Sequence, residues 1–226
     1  SSFVGRVAEL ADLHQLFRQG NRLITLLGPG GTGKTRLSLQ FGSQLVTHFD
    51  GTEGGKRRGG VWFVDLSSLP DPALVAQTVA TASGVTVAPE APVPDALAAA
   101  FAARPTLLVL DNCEHVLDAC AMLVNLLVRA GENLHVIATS RERLGIAGER
   151  VWPVMPLVVD ESGASDGESA LESEAARLFV DRARRLRPTF EVTPGNTAAI
   201  LELCRRLEGI PIATELAAAR VNVLPV

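Results

Sequence analysis

Five short apolar runs of strand length punctuate the chain, the first four closed by a polar or turn-forming residue. The first, Leu23 to Leu27 (LITLL), stops at Gly28, and a helical pattern follows from Lys34 to about Val46. Val61 to Asp65 is the second strand, reached through Asp50 to Gly60, whose glycines and charges read as a flexible surface loop. Helices are expected over Pro70 to Gly84 and Asp95 to Ala103, with a proline-bearing loop, Val85 to Val93, between them. Thr106 to Leu110 (TLLVL) is a fully apolar strand ending in Asp111, and a helix over Val116 to about Ala130 follows it. Leu134 to Ala138 is a strand running into Thr139, Ser140 and Arg141, and Val151 to Val154 is the last. Strands alternating with helices predict an α/β fold: a parallel sheet covered on both faces.

Beyond this the pattern changes. Leu157 to Ala176 carries six acids (Asp160, Glu161, Asp166, Glu168, Glu172, Glu174) and no base, and its first half reads as a linker. Helices are expected at Glu172 to Leu186, Asn196 to Leu207 and Pro211 to Val221, forming a small all-helical unit. In the first of these, Ala176, Phe179, Val180 and Ala183 form a core-facing stripe, while Arg177, Asp181 and Arg185 fall at i, i+4 spacing as an ion-paired solvated face. The expected organisation is a nucleotide-binding domain over 1–158, an acidic linker over 159–171 and a helical subdomain over 172–226.

Composition narrows the class. Of 226 residues, 47% are apolar and 20% charged, the balance of a packed globule. The longest small or apolar run, Ala96 to Ala103, is far below the roughly 18 residues of a membrane-spanning helix. The opening Ser1-Ser2-Phe3-Val4-Gly5-Arg6 is unlike a secretory signal, so a cytoplasmic protein is expected. Cys113, Cys120 and Cys204 show no metal-ligand spacing; Cys113 and Cys120, at helical i, i+7, read as small buried residues. A net charge of −4 argues against a surface that coats nucleic acid, and no direct nucleic-acid binding is expected. Trp62 and Trp152, in expected strands, read as core residues.

Only Lys34 and Lys56 are lysines among 21 bases, which draws attention to where Lys34 stands. Gly28-Pro29-Gly30-Gly31-Thr32-Gly33-Lys34-Thr35 fits the phosphate-binding pattern G-x-x-x-x-G-K-[ST] between an apolar strand and a helix. Glycines allow successive backbone N–H groups to turn toward one anion, Lys34 reaches the β- and γ-phosphates, and the Thr35 hydroxyl can ligate Mg²⁺. Asp111, delivered by a buried strand, is the expected second magnesium anchor. Glu114 is the nearest remaining carboxylate to activate water, with Asn112 a water-positioning alternative; equally, Glu114 and His115 can simply complement a helix N-terminus. If the strand after Asp111 inserts between the Asp111 strand and the first strand, the sheet order is 5-1-4-3-2, and Arg141 is aimed at the γ-phosphate.

The succession Phe3-Val4-Gly5-Arg6, GPGGTGKTRL, LLVLDNCEHV, ATSRERLGIAGE and Gly209-Ile210-Pro211 ahead of ELAAAR resembles the signal-transducing STAND NTPases of the NB-ARC type. Within them it is most similar to the branch found in bacterial LuxR-type and SARP-type transcriptional regulators, and the likeness runs over essentially the whole chain. The resemblance implies a three-layer αβα P-loop NTPase of the additional-strand class, followed by a helical lid. It implies ATP/ADP and Mg²⁺ as ligands and slow ATP hydrolysis that drives a molecular switch. Val4 and Arg6 would meet adenine and ribose, the residues from Gly28 through Thr35 together with Arg36 would hold the phosphates, and Pro211 would pack on the base. The same likeness implies winged-helix, sensor and effector domains following in a parent chain, of which this sequence would be an excised piece, and nucleotide-dependent self-association. Two other functions compete: a P-loop phosphotransferase acting on a small acceptor, and a scaffold that holds ADP without turning it over.

Overall fold

The computed structural model describes residues 2–50, 52–53, 56–57, 59–159 and 171–221. The expected acidic linker therefore lies, from 160 to 170, outside the described residues. Strands are β1 Leu23–Leu27, β2 Thr52–Glu53, β3 Lys56–Arg57, β4 Gly60–Asp65, β5 Thr106–Asp111, β6 Leu134–Ser140 and β7 Glu149–Pro153. The α-helices are α1 Val7–Arg18, α2 Lys34–Gln44, α3 Val46–Phe49, α4 Val75–Ser83, α5 Val93–Ala102, α6 Leu117–Ala130, α7 Glu174–Leu186, α8 Pro194–Arg206 and α9 Pro211–Ala218. They group into two compact units: Leu10–Gly28 with Lys34–Pro153, and Ser1–Glu9 with Pro29–Gly33 and Val154–Val226.

The first unit is built on a parallel sheet in the order β4-β5-β6-β1-β7. Counted over the five apolar strands this is the expected 5-1-4-3-2. The central strands are apolar on both faces because both faces are covered, and every residue of β5 is buried. Alternation divides them. Leu23, Leu108, Leu110, Val136 and Ala138 pack with Val79, Leu97, Phe101, Leu123 and Leu127 from α4, α5 and α6. Residues of the opposite parity, Ile24, Leu26, Leu107, Val109 and Ile137, are also buried.

Several local details differ from the pattern-based reading. The segment read as a flexible loop contains a short antiparallel ladder, Thr52 opposite Arg57 and Glu53 opposite Lys56. Thr139 and Ser140 belong to β6 rather than following it. Cys113 sits in a one-turn 3-10 helix, Cys113–His115, and not in α6, because Val116 at φ −128°, ψ 33° interrupts the helix between them; both cysteines remain buried. Helix α1 was not anticipated. Its Leu10 and Leu13 are buried, and Phe17 stacks with Phe41, Phe49 and His135 at centroid separations of 6.3, 5.8 and 4.7 Å.

That aromatic cluster makes stability depend on pH. Burial, together with nearby Arg22 and His48, holds the His135 imidazole below its ordinary value of 6.5. The unfolded chain therefore binds a proton at His135 before the folded one does, so this contribution is intact above about pH 6.5 and is lost as pH falls below it. The urea midpoint should drop between pH 7.5 and 5.5, and His135→Phe should flatten that drop. An unchanged slope in the variant would remove His135 from the account.

In the second unit Leu157, Ala176, Phe179, Ala183, Phe190, Ile200 and Cys204 form a buried helical core. Three of the four stripe residues of α7 are fully buried, as the spacing predicts. Thr193 and Asn196 form a capping box at the start of α8, ahead of Pro194. The expected Asp181–Arg185 pair is present at 3.1 Å, but Asp181 also accepts from Ser2 Oγ at 2.8 Å and pairs with Arg182. Arg182, buried, reaches Glu215 at 2.9 Å and the Ser2 carbonyl at 3.2 Å, joining α7 to α9 and to the N-terminal segment. Among the described residues no helix is long and apolar enough to cross a membrane.

Candidate functional site

In the sheet unit the site collects at the carboxyl ends of β1, β5 and β6, where open α/β sheets place their ligands. Parallel pairing brings Asp65 of β4 level with Asp111 of β5 and Leu27 of β1 level with Ser140 of β6. The Gly28 N–H donates to the Ser140 carbonyl at 3.3 Å, fixing where the chain leaves β1. Lys34 opens α2 and is buried, its Nζ donating to the Gly28 carbonyl at 2.7 Å. The Thr35 hydroxyl lies 2.9 Å from each carboxylate oxygen of Asp111. Thr139 Oγ1 donates to Asp111 Oδ1 at 2.5 Å and accepts the Asn112 N–H at 3.0 Å. Arg36, half-buried, follows on the first turn of α2.

Electrostatics here follow from burial. Desolvation pushes the Asp111 carboxyl above the usual range; the hydroxyls of Thr139 and Thr35 oppose this, while Asp65 and Glu114 add to it. Asp65 moves the other way, because the Ser67 N–H donates to it at 2.8 Å. Desolvation lowers Lys34, with Glu114 and Asp111 favouring the ammonium and Arg141 opposing it.

Glu114 and Arg141 come together although they follow different strands. Arg141 Nε donates to Glu114 Oε1 at 3.1 Å, with the arginine 64% and the glutamate 22% exposed. Glu114 Oε2 is buried and has no hydrogen-bond partner. The Asn112 amide donates to Asp111 Oδ2 at 3.1 Å, so the other candidate for handling water is already engaged. Glu149 of β7 holds the loop after Arg141, its two carboxylate oxygens accepting the Leu144 and Gly145 N–H groups at 2.8 Å each. His115 is exposed.

The glycine turn itself, Pro29–Gly33, belongs to the helical unit. Gly31 and Gly33 stand at φ 83° and 89°, where a side chain is strained, and Thr32 Oγ1 closes the turn onto the Pro29 carbonyl at 3.0 Å. Pro29 and Gly30 are exposed. The Ile212 N–H donates to the Gly31 carbonyl at 3.3 Å, and the Pro211 ring lies 3.7 Å from where a Cβ on Gly33 would stand.

Arg6, expected at adenine and ribose, is engaged with the chain itself. At φ 59° and 3% exposed, it donates from one guanidinium nitrogen to the Thr32 carbonyl at 2.6 Å and the Met155 carbonyl at 2.9 Å, and from the other to Glu9 at 3.1 Å. Its backbone N–H donates to the Glu174 carboxylate. Arg6 thus braces the turn from within. Val4 is half-buried and packs on the helical core. Glu174, Glu149 and Arg182 were not singled out from sequence; Glu149 alone left a trace, closing the distinctive GIAGE string.

Comparison with known proteins agrees with this layout. Residues 17–144 match the model of the AAA domain family. The chain is 41% identical over 224 residues to an uncharacterized protein of Mycobacterium tuberculosis, covering 99% of this chain and 52% of that one. It is 44% identical over 202 residues to a second M. tuberculosis protein, provisionally named an HTH-type transcriptional regulator, covering 89% of this chain and 20% of the regulator. The chain thus spans about half the length, or less, of these curated relatives. A Pyrococcus horikoshii STAND ATPase with a tetratricopeptide-repeat sensor superposes with TM-score 0.55 at 16% identity, over 96% of this chain and 30% of that one. The Aeropyrum pernix ORC2 protein, solved in ADPNP–ADP complexes, gives 0.57 at 12% identity, over 98% and 62%. At such identities the likeness is one of fold. With more than half of its length matched, the chain belongs to the AAA domain family of P-loop ATPases.

Proposed function

We propose that this chain is an ATP/ADP-dependent switch module that hydrolyses ATP slowly with Mg²⁺. The observation that carries the reading is the gathering of Lys34, Thr35 and Asp111 at the carboxyl edge of the sheet, directly after the glycines of the motif in sequence. A threonine hydroxyl and one carboxylate are hard oxygen donors, the set magnesium takes when phosphates complete its shell. Thr35 and Asp111 would hold the ion, which when bound neutralises charge on the β- and γ-phosphates.

The remaining roles fall to the chain's own groups. Backbone N–H groups of the Gly28–Thr35 turn bind the phosphates and Lys34 supplies charge to them, with Arg36 beside it. Glu114, whose free oxygen is buried, accepts the proton of the attacking water; Arg141 reads the γ-phosphate, which ADP lacks. Val4 and Arg6 would meet adenine and ribose and Pro211 would pack on the base, with Arg6 also bracing the turn.

The working division is a nucleotide-binding domain over 1–158, a linker over 159–171 and a helical lid over 172–226. That the chain covers a fifth of a relative provisionally named an HTH-type transcriptional regulator supports placing this module in a larger regulator; a cytoplasmic setting, winged-helix, sensor and effector domains and nucleotide-dependent self-association complete the proposed reading. Calorimetry with MgADP and a non-hydrolysable ATP analogue tests the reading, together with phosphate release from ATP. Micromolar or tighter binding with slow release is expected. Absence of binding refutes it, transfer of phosphate to a small acceptor favours a phosphotransferase, and tight ADP without any release favours an ADP-holding scaffold.

A further inference from the structure

We propose that the Arg141–Glu114 ion pair is a latch which the γ-phosphate opens: Arg141 exchanges the glutamate carboxylate for the phosphate, and Glu114 is released to act on water only when ATP is bound. The proposal rests on the nucleotide-binding reading above and adds to it how sensing and hydrolysis are coupled. Arg141 Nε is already committed to Glu114 Oε1 at 3.1 Å, so the arginine cannot read a phosphate through that nitrogen without giving up the carboxylate. The other oxygen of Glu114 is buried without a hydrogen-bond partner, so the contact to Arg141 Nε holds this carboxylate in place, with Lys34 acting on it through charge.

Magnitudes favour the exchange. A pair with its arginine 64% exposed changes an equilibrium by at most about fivefold. A charge-assisted, two-pronged contact to a phosphate changes it by roughly ten- to a hundredfold. ADP offers no γ-oxygen and leaves the latch shut. Arg141 is then both a ligand of the nucleotide and a positioning residue for Glu114. Glu149, which ties down the Leu144 and Gly145 N–H groups, limits how far the loop carrying Arg141 can travel.

The test is a double-mutant cycle read by calorimetry on the whole chain, with MgADP and a magnesium-bound non-hydrolysable ATP analogue. Glu114→Gln removes the charge that Arg141 must leave, so analogue affinity should rise about two- to fivefold while ADP affinity stays unchanged. In the Arg141→Ala background the same substitution should have no effect on either ligand. Glu114→Ala provides the comparison should the amide variant not fold. A gain that persists undiminished without Arg141 would show that the carboxylate merely repels the phosphate, and would overturn the latch while leaving the nucleotide site standing. No gain in the single variant would overturn it as well. Failure of the unmodified chain to bind either nucleotide would sink both the latch and the function on which it rests.

Discussion

Lys34→Ala should weaken binding of both MgADP and a non-hydrolysable ATP analogue by about 100-fold or more, the loss expected when a buried ammonium no longer meets two phosphates. The expectation follows from where the side chain is held. Lys34 opens α2, is buried, and is pinned by the Gly28 carbonyl at 2.7 Å, so its charge is already in place before any ligand arrives. Desolvation works against that charge, and Glu114 and Asp111 sustain it. A nearby phosphate would do so far more effectively. Asp111→Asn separates the ion from the lysine. It keeps the shape that accepts Thr35 and Thr139 but loses the carboxylate, so ADP binding should persist while its dependence on magnesium disappears. Phosphate release should fall to background in both variants. Unaltered affinity in the Lys34 variant would dismiss the Gly28–Thr35 turn as a phosphate cradle.

How much of this was readable beforehand depends on the range of the interaction involved. The strand order was legible through the resemblance: the glycine motif after Leu23 to Leu27 and the acid after Thr106 to Leu110 resemble the additional-strand class of P-loop proteins, in which the strand after that acid inserts between the two. The positions of Lys34 and Thr35 at the start of α2 and of Asp111 at the end of β5 were legible because they are set by local chain geometry. Helix α1 was missed although Leu10, Leu13 and Phe17 fall at helical spacing, because one amphipathic segment does not announce what it covers until Phe41, Phe49 and His135 are assembled around it. The bonds of Arg6 to Thr32 and Met155 were illegible for a different reason. A left-handed arginine, buried against two carbonyls, contradicts both its backbone preference and its polarity, and only the surrounding groups explain it. The Glu114–Arg141 contact joins residues that follow separate strands, and no spacing rule reaches across that distance.

Gly209→Ala should be the most damaging single methyl in the helical unit, lowering stability by about 2–4 kcal/mol. After α8 the chain passes through Glu208 at φ 51° and Gly209 at φ 65°, two successive left-handed residues that turn it into α9. The Gly209 N–H returns to the Cys204 carbonyl at 3.2 Å, ending α8, and the Gly209 carbonyl accepts the Leu157 N–H at 2.9 Å. A Cβ on Gly209 would stand 2.1 Å from the Leu157 carbonyl oxygen, and since that oxygen is backbone it cannot rotate away. Gly84 provides the control. It has the same φ of 65° with nothing within 4 Å, so Gly84→Ala carries only the left-handed strain, about 1 kcal/mol. Hydrogen exchange is the appropriate measurement, because it reads α7 to α9 separately from the sheet. Gly209→Ala should strip protection from α9, and with it the Ile212 N–H bond to Gly31 and the Pro211 ring beside Gly33. Under the proposed role of the Gly28–Thr35 turn, nucleotide affinity should fall in this variant although Lys34, Thr35 and Asp111 are unaltered. Equal protection in the Gly209 and Gly84 variants would mean that Leu157 yields to the methyl, and that α9 does not depend on this junction.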